Sequence, residues 1–538
     1  MPAAIRFLTI AIFSCAVLAG CSGGSSPSPA PPAPPPPTSS GPTFQAGVFE
    51  PARNFINRCQ SPRSGVDIEG NRFPDVQGST LLENFWLRSW THETYLFRDE
   101  VVDRNPADFS DRIAYFNVLK TFATTPSGRE KDEFHFTQDT AEFLAERNSA
   151  PTATYGARYI ALRTTPPRDF RIAYNEAGSP AAQTVGGLEN LPRGARILSV
   201  DNVDLVNANT QSEIDILNAG LFPARAGEAH SFVIEAGGVT RMVSLVAANL
   251  STAPVRLTRT IPTPTGPVGY ILLNTFSPFA TEDAIVNAVN AVRAGGAVDV
   301  VLDLRYNGGG LLAIASQLSF MVAGPARTSG RAFERLRFNN GFTGNDPVTG
   351  QPNTPTPFYS TGLGFSVTQG TALPNLNLGR VFVLTTEDTC SASESVINSL
   401  RGIGVEVVLI GGRTCGKPFG FFPQDNCGVT YFTTQFQGVN DLGFGDYADG
   451  FAAANSSDPF AVKAPGCAVA DDLTRPLGDE SEGLLAAALQ FRADGTCPAP
   501  SAAKTAAAAE KGAEAGLALS DTAPGGDVFA TNRDMTLP

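Results

Sequence analysis

Histidine is scarce in this sequence, and no two cysteines are spaced as Cys-x-x-Cys. The chain of 538 residues has three histidines, His92, His135 and His230, all in its first half. Structural zinc sites use four cysteine or histidine ligands, commonly in closely spaced pairs. We therefore expect no metal site. The scarcity also restricts acid–base chemistry in the second half of the chain to groups other than imidazole.

Basic residues are too few for a nucleic-acid-binding surface. The chain has 39 Lys and Arg residues against 52 Asp and Glu residues, a formal net charge of −13. Phosphate backbones bind to basic surfaces, so nucleic acid is excluded as a partner. The content of 42% hydrophobic and 17% charged residues is typical of a globular protein. A chain of this length predicts roughly two to four folded units.

The apolar run at the start of the chain is too short to span a bilayer as a helix. It follows Arg6, covers 7–18 and has the length of a signal-peptide core. Cys21 directly follows Leu-Ala-Gly, a pattern that resembles the bacterial lipobox. The resemblance implies a signal peptide over 1–20 and lipidation of Cys21. The alternative is an ordinary signal peptide with an accidental cysteine.

The lipobox resemblance predicts a location in the cell envelope, with the membrane as a partner through the lipid anchor. Several acyl chains on Cys21 would hold the protein on a membrane. Ser22 rather than Asp follows the cysteine, which by analogy with lipoprotein sorting in enteric bacteria favours the outer membrane, facing the periplasm. Residues 21–43 join this cysteine to a Pro- and Ser-rich tether that cannot build a core.

Composition and periodicity divide the remaining chain into four segments. Aromatic residues at helical spacing predict a small helical N-terminal domain over 44–152. Strand patterns with one helix predict a β-rich domain over 153–250. Near-continuous Val, Ile and Leu strands alternate with helices over 251–500, which predicts a largely parallel α/β sheet buried on both faces. The Ala- and Gly-rich residues 501–538 predict a mobile tail.

The segment 177–205 in the β-rich domain resembles a PDZ domain. Residues 178–182 and 194–200 fit the PDZ pattern, whereas Ala195 and Val203 stand where that family usually has Asp and Gly. The resemblance implies capture of an extended peptide as an added strand, with its terminal carboxylate in a backbone nest. The alternative is a small β-rich packing domain without a peptide groove.

Two strand-to-helix junctions of the α/β region carry candidate functional groups. In DLRYNGGG (303–310) the glycine run leaves backbone N–H groups free to face a developing oxyanion, or merely lets the chain turn. In TCSASESV (389–396) Ser391 stands at a predicted helix N-terminus, where the helix dipole favours negative charge on its oxygen. The alternative for Ser391 is a capping box with Glu394.

A third segment, RTCGKP (413–418), follows the strand VEVVLIGG. Lys417 in this glycine-containing loop would act as a base if burial removed its hydration and lowered its pKa. The alternative is a surface lysine.

In this order the three segments resemble the C-terminal processing (tail-specific) serine proteases. The resemblance covers roughly 153–497 and implies a crotonase/ClpP-like fold, a protein or peptide substrate and no cofactor. It implies that Ser391 is the nucleophile and that Lys417, 26 residues later, is the general base. It places the oxyanion-hole amides at Gly309, Gly310 and Ala392. No histidine follows residue 230 and no G-x-S-x-G elbow surrounds the serine, so a Ser–Lys pair remains to activate it.

Two positions depart from the family pattern. Phe421 stands where many members have a polar residue, commonly Gln, that orients the lysine. Arg401 and Gly402 stand where some members have an acidic residue. These departures favour an alternative function, a lipid-anchored peptide-binding protein that has lost catalysis. Acyl-CoA chemistry on a related spiral fold is a remote third class, because the Ser-Ala-Ser-Glu and Gly-Lys motifs do not belong to it. The sequence predicts no oligomeric state.

Cysteine count predicts disulfides in an exported protein. Without Cys15 in the signal peptide and Cys21, six cysteines remain, which allow 15 connectivities. Cys415 and Cys427 are predicted to close a small loop, and Cys467 and Cys497 to bracket the last helix. Partners for Cys59 and Cys390 stay open.

Overall fold

The computed structural model describes residues 41–342, 344–499 and 516–520 and the backbone of 533–534. The predicted signal peptide, Cys21 and nearly all of the tether lie outside the described residues, as does most of 501–538. The described residues from Phe44 onwards form one unit. Among the described helices, none is long and apolar enough to cross a bilayer.

The N-terminal region, which we define as 44–151, packs its aromatic residues against the α/β region. Helix α1 begins after Ser79, whose hydroxyl accepts a hydrogen bond from the backbone N–H of Leu82. Trp86 and Trp90 of α1 contact Tyr431 of the α/β region. The elements are β1 Arg58–Cys59, β2 Val76–Gln77, α1 Thr80–Thr94, α2 Arg112–Phe116, β3 Phe136–Asp139 and α3 Thr140–Arg147, with 3-10 turns at Ala52–Asn54, Arg98–Glu100 and Pro106–Asp108. The region is therefore helical in part and shares its core with the α/β region.

The β-rich region, defined as 152–250, is an antiparallel sheet covered by one helix. Its strand order is β12-β11-β9-β6-β5, with β10 beside β9. Strands β4 and β13 pair with each other, so the two ends of the region meet. The elements are β4 Thr152–Thr154, β5 Ala157–Arg163, β6 Asp169–Asn175, β7 Thr184–Val185, β8 Leu188–Glu189, β9 Arg196–Val200, β10 Val203–Asp204, α4 Gln211–Leu221, β11 Ala229–Ala236, β12 Val239–Val246 and β13 Ala248–Leu250. This region has a hydrophobic core of its own.

The α/β region is built on a six-stranded sheet of order β14-β15-β16-β20-β21-β28. All neighbouring strands are parallel except β14 and β15. The strands are β14 Val255–Ile261, β15 Val268–Leu273, β16 Asp299–Asp303, β20 Arg380–Thr385, β21 Glu406–Gly411 and β28 Gly466–Ala468, and the helices are α5 Thr281–Ala294, α6 Leu312–Ala323, α7 Pro325–Thr328, α8 Ala392–Gly402 and α9 Gly483–Asp494. Leu302 packs on the face of α5, α6 and α8, and Val301 on the face of α9. The predicted sheet, largely parallel and buried on both faces, is confirmed.

Smaller sheets surround the carboxyl ends of these strands. They are formed by β17 Gly310–Leu311, β18 Ala332–Arg337, β19 Thr356–Pro357, β22 Phe419–Gly420, β23 Gln424–Asn426, β24 Val429–Phe432, β25 Phe436–Val439, β26 Phe451–Ala453, β27 Val462–Ala464 and β29 Arg533–Asp534. Strand β24 pairs with β3, which ties the N-terminal region to the α/β region.

Three disulfides join Cys59 to Cys427, Cys390 to Cys415 and Cys467 to Cys497. The predicted bridge around the last helix is confirmed. The predicted Cys415–Cys427 loop is wrong, because Cys427 lies at the turn between β23 and β24 and faces β1 of the N-terminal region. Cys415 instead lies beside the residue that precedes Ser391.

Candidate active site

Ser391 lies between β20 and α8 in a backbone conformation that is rare for a residue with a side chain. Its φ is 59° and its ψ is −113°. Such a conformation persists only where the surroundings hold it. The residue is fully buried, and its hydroxyl has no hydrogen-bond partner among the described residues. The capping box that the sequence left open is present in its Glu394 half, because the Glu394 carboxylate accepts the Ser391 backbone N–H, while the Ser391 hydroxyl makes no hydrogen bond to a described residue.

Lys417 is also fully buried, in the loop between β21 and β22. Its ammonium lies 4.7 Å from the ring centroid of Phe134 and 4.8 Å from that of Phe421. Aromatic faces attract a desolvated cation by electrostatics. The sequence indicated Phe421 only as a lost polar partner, whereas the structure places its ring against the lysine. Phe134 comes from the N-terminal region and no sequence signal indicated it. The alternative of a surface lysine is wrong.

Glu394 connects the segments that carry Ser391 and Lys417. Its Oε2 accepts the backbone N–H of Ser391 at 3.0 Å and that of Lys417 at 2.8 Å. Its Oε1 accepts the Gly416 N–H at 2.9 Å and the Thr414 hydroxyl at 2.5 Å. Burial raises the pKa of this carboxyl above its ordinary value, while the hydrogen bonds oppose that shift. The sequence assigned Glu394 only to a helix cap, and its contacts with the lysine loop depend on the fold.

The Cys390–Cys415 disulfide makes the same connection covalently. Cys390 directly precedes the serine, and Cys415 lies two residues before the lysine. The described part of the chain holds two groups of cysteine and glutamate side chains close enough to share a metal ion, Cys59, Glu83 and Cys427, and Cys390, Glu394 and Cys415. Their cysteines form disulfides, so neither group offers a thiolate.

The glycine run is fixed by Asn307. The Asn307 side-chain oxygen accepts the N–H of Gly309 at 2.9 Å, and its backbone carbonyl accepts the N–H of Cys390 at 3.1 Å. The Gly309 amide is therefore occupied in this conformation, and it would serve as the predicted oxyanion donor only if the Asn307 side chain moved away. The reason is local, because Asn307 folds its own side chain back onto the loop.

Gly310 is held so that its polar groups face away from Phe276, which forms an isolated parallel bridge with it. Phe276 donates its N–H to the Gly309 carbonyl at 2.7 Å and accepts the Leu311 N–H at 3.2 Å. Successive residues in a strand direct their polar groups to opposite sides, so those of Gly310 face the other way. Its φ is 131°, and a Cβ there would lie 2.4 Å from the backbone of Phe276. Only glycine fits this position.

Ala392 is the first residue of α8 and is fully buried beside the serine. The first N–H groups of a helix have no partner within the helix and carry partial positive charge. The predicted role of Ala392 as an oxyanion donor stays a prediction, and Gly310 is the glycine of the run whose polar groups are directed away from Phe276.

A buried ion-pair network lies at the end of β16, directly before the glycine run. The Arg305 guanidinium donates to Asp303 at 2.9 Å, to Asp471 at 2.8 Å and to Glu482 at 2.8 Å. Arg305, Asp303 and Glu482 are fully buried. Breaking such a network leaves an uncompensated charge, so it holds the end of β16 in place.

Comparison with known proteins relates this arrangement to a peptidase family. Residues 267–421 match peptidase family S41. This range contains the glycine run, Ser391, Glu394 and Lys417. No curated protein matches the chain.

Among solved structures, an S41 protease candidate from Bacteroides fragilis NCTC 9343 superposes with a TM-score of 0.54 at 24% identity, over 79% of this chain and 98% of that one. The photosystem II D1 C-terminal processing protease has a TM-score of 0.41 at 18% identity, over 72% and 93% of the two chains. The first superposition shows a shared fold, mixed α/β and consistent with a ClpP-like protease domain.

Proposed function

Because the chain carries a domain of peptidase family S41, the family of the C-terminal processing proteases, we propose that it is a serine endopeptidase acting through Ser391 and Lys417. The observation that carries the proposal is the shared carboxylate of Glu394, which binds the backbone N–H groups of both residues. Both side chains are fully buried. No described residue binds the Ser391 hydroxyl, so the proposal requires that its hydrogen bond to Lys417 forms when substrate binds.

The proposed reaction is acyl transfer to the serine followed by hydrolysis. The Ser391 oxygen attacks the substrate carbonyl while the Lys417 amine accepts the hydroxyl proton. The lysine then gives this proton to the leaving amine. The N–H groups of Gly310 and Ala392 stabilise the oxyanion. A water molecule, deprotonated by the lysine, releases the acyl group and restores the serine hydroxyl. The reaction requires no cofactor.

We further propose that the β-rich region binds extended peptide segments of exported proteins, as its PDZ resemblance implies. Lipidation of Cys21 would hold the enzyme on the periplasmic side of the outer membrane. Loss of lipid labelling and of membrane association in Cys21→Ala would support this placement, and unchanged membrane association would contradict it.

Cleavage of an unfolded model protein by the full chain tests the peptidase proposal. We expect Ser391→Ala and Lys417→Ala each to lower kcat by about a thousandfold or more, because such residues act as one unit. Ser244→Ala and Lys463→Ala, at exposed positions, serve as matched controls and should retain full activity. Equal cleavage by the two site variants and their controls would contradict the proposal.

A second function is favoured by the occupied Gly309 amide, which leaves one predicted oxyanion donor unavailable. The chain would then be a lipid-anchored peptide-binding protein without catalysis. Peptide binding by a wild-type chain that cleaves nothing would support this second function.

A further inference from the structure

A short segment far from the β-rich region in sequence is built into its core. Leu519 is 1% exposed and packs among the buried residues of this region, including Phe170, Leu205 and Leu217. Its backbone N–H donates to the Thr164 carbonyl at 3.1 Å. The predicted mobile tail therefore does not describe residues 516–520, because a leucine side chain fixes them to the sheet.

The β-rich region binds the main chain of this segment with dedicated polar groups. The Asn209 side-chain oxygen accepts the N–H of Leu517 at 2.7 Å, and the Arg168 guanidinium donates to the Leu517 carbonyl. Arg168 is fully buried and also binds the carbonyls of Thr164 and Leu205. A buried cation bound to backbone carbonyls is costly unless every contact is made. The site therefore recognises an extended peptide with an apolar side chain two residues beyond the bound carbonyl.

A second piece of the same segment lies at the proposed active site. Strand β29 (Arg533–Asp534) pairs in parallel with β17, Gly310 opposite Arg533. It also contacts β22, which begins two residues after Lys417. The polar groups of Gly310 are directed to this side, away from Phe276. An added strand there occupies the edge that a substrate backbone would use.

These two contacts lie at the two places where the proposed function puts a substrate, the β-rich region that binds an extended peptide and the site of Ser391. We call the line between them the substrate path. We propose that the C-terminal segment of the chain is a built-in occupant of this path, with 516–520 in the peptide site and 533–534 beside Gly310. It restrains cleavage until another peptide displaces it. This inference rests on the proposed peptidase function.

The two contacts differ in how readily they are displaced. Leu519 is anchored by burial, whereas β29 adds two residues to one short strand. Tethering gives β29 a high effective concentration at the site without strong contacts. A substrate peptide can therefore exchange with β29 while 516–520 stays bound.

Deletion of 521–538 in the full chain tests the inference and leaves the 516–520 contacts in place. The substrate is a quenched fluorescent peptide at a concentration below its KM. The deletion should raise kcat/KM by about fivefold or more, because β29 no longer occupies the edge beside Gly310 and a larger fraction of the enzyme can bind substrate. A chain with the same residues of 521–538 in scrambled order is the matched control and should behave like the deletion. A synthetic peptide of residues 521–538 should restore inhibition of the deleted chain.

Equal kcat/KM for the wild type, the deletion and the scrambled chain would overturn the inference while leaving the peptidase function intact. Loss of residues 521–538 that depends on Ser391, detected by mass spectrometry, would support the inference, because a segment in the substrate path is exposed to cleavage in place.

If no variant cleaves, the proposed function fails, and peptide binding then tests the inference. A labelled 516–538 peptide should bind the chain lacking 516–538 tightly and Arg168→Gln in that chain at least about tenfold more weakly; absence of binding would overturn it.

Discussion

The N-terminal region and the β-rich region both precede the α/β region in sequence, yet they are joined to it differently. The first shares a core through Tyr431, pairs β3 with β24, forms the Cys59–Cys427 bridge and places Phe134 on Lys417. The second has a larger core of its own and shares only a small buried cluster with the α/β region, in which Ile160 and Ala173 pack on Tyr306. Arg193 also donates to the Tyr306 hydroxyl at 2.8 Å.

The two regions therefore contribute differently to the site of Ser391 and Lys417. The N-terminal region completes the surroundings of the proposed base, so damage there should reach the chemistry and the stability together. The β-rich region holds residues 516–520 of the chain against its own core, so a change inside that core should leave the surroundings of Lys417 in place. Domains that keep their own core move or vary more freely than segments that share one.

Removal of the Cys59–Cys427 bridge should have the largest effect. Cys59→Ala with Cys427→Ala removes a covalent link between residues that are 368 apart in sequence. Loss of a native disulfide typically lowers the free energy of unfolding by about 2–5 kcal/mol. Urea denaturation of the oxidised chain measures the loss. The matched control, Cys467→Ala with Cys497→Ala, opens a link of only 30 residues and should lose less. Equal midpoints for the two variants would show that the N-terminal region is not held by its bridge.

Acid should destabilise the N-terminal region through His135. Burial lowers the pKa of His135 to about 4, although the nearby carboxylate of Asp132 opposes the shift. Its ring nitrogens contact the Phe116 carbonyl at 2.9 Å and the Thr433 hydroxyl at 3.0 Å, which suits a neutral ring. An unfolded histidine takes up its proton near pH 6.5. Stability from this group is complete above that pH and falls by roughly 3 kcal/mol as pH drops to about 4.

The pH dependence of the unfolding free energy between pH 7 and 4 checks this. His135→Gln should reduce the slope in that window. An unchanged slope in His135→Gln would assign the acid sensitivity to another group.

Loss of the aromatic face on the lysine should have the smallest effect. Phe134→Leu keeps most of the apolar volume but removes the ring face that would stabilise the ammonium formed when Lys417 accepts the serine proton, so we expect kcat to fall by about threefold to tenfold. Lys120 lies over Phe122 at 5.7 Å, on a ring that is 62% exposed, so Phe122→Leu is a matched control with no expected change in kcat. Equal kcat values for both variants would mean that the N-terminal region does not tune the base.

Sequence reasoning was strongest where local pattern and chemistry coincide. The strands of the α/β sheet follow from their apolar runs, and Ser391 is found before a helix because the motif contains its own turn and helix start. It was weakest for contacts between distant segments. Cys427 was paired with Cys415 because they are near in sequence, whereas its partner Cys59 lies 368 residues away.

The sequence by itself determined the parallel sheet, the three motif segments at its strand ends and their likeness to the C-terminal processing proteases, because these depend on residue period and short spacing. Only the tertiary structure decided that Glu394 binds both segments, that Asn307 occupies the Gly309 amide and that Phe134 covers Lys417. It alone placed Leu519 in the β-rich core. Such contacts join residues that no local pattern relates, and they form when burial brings their segments together.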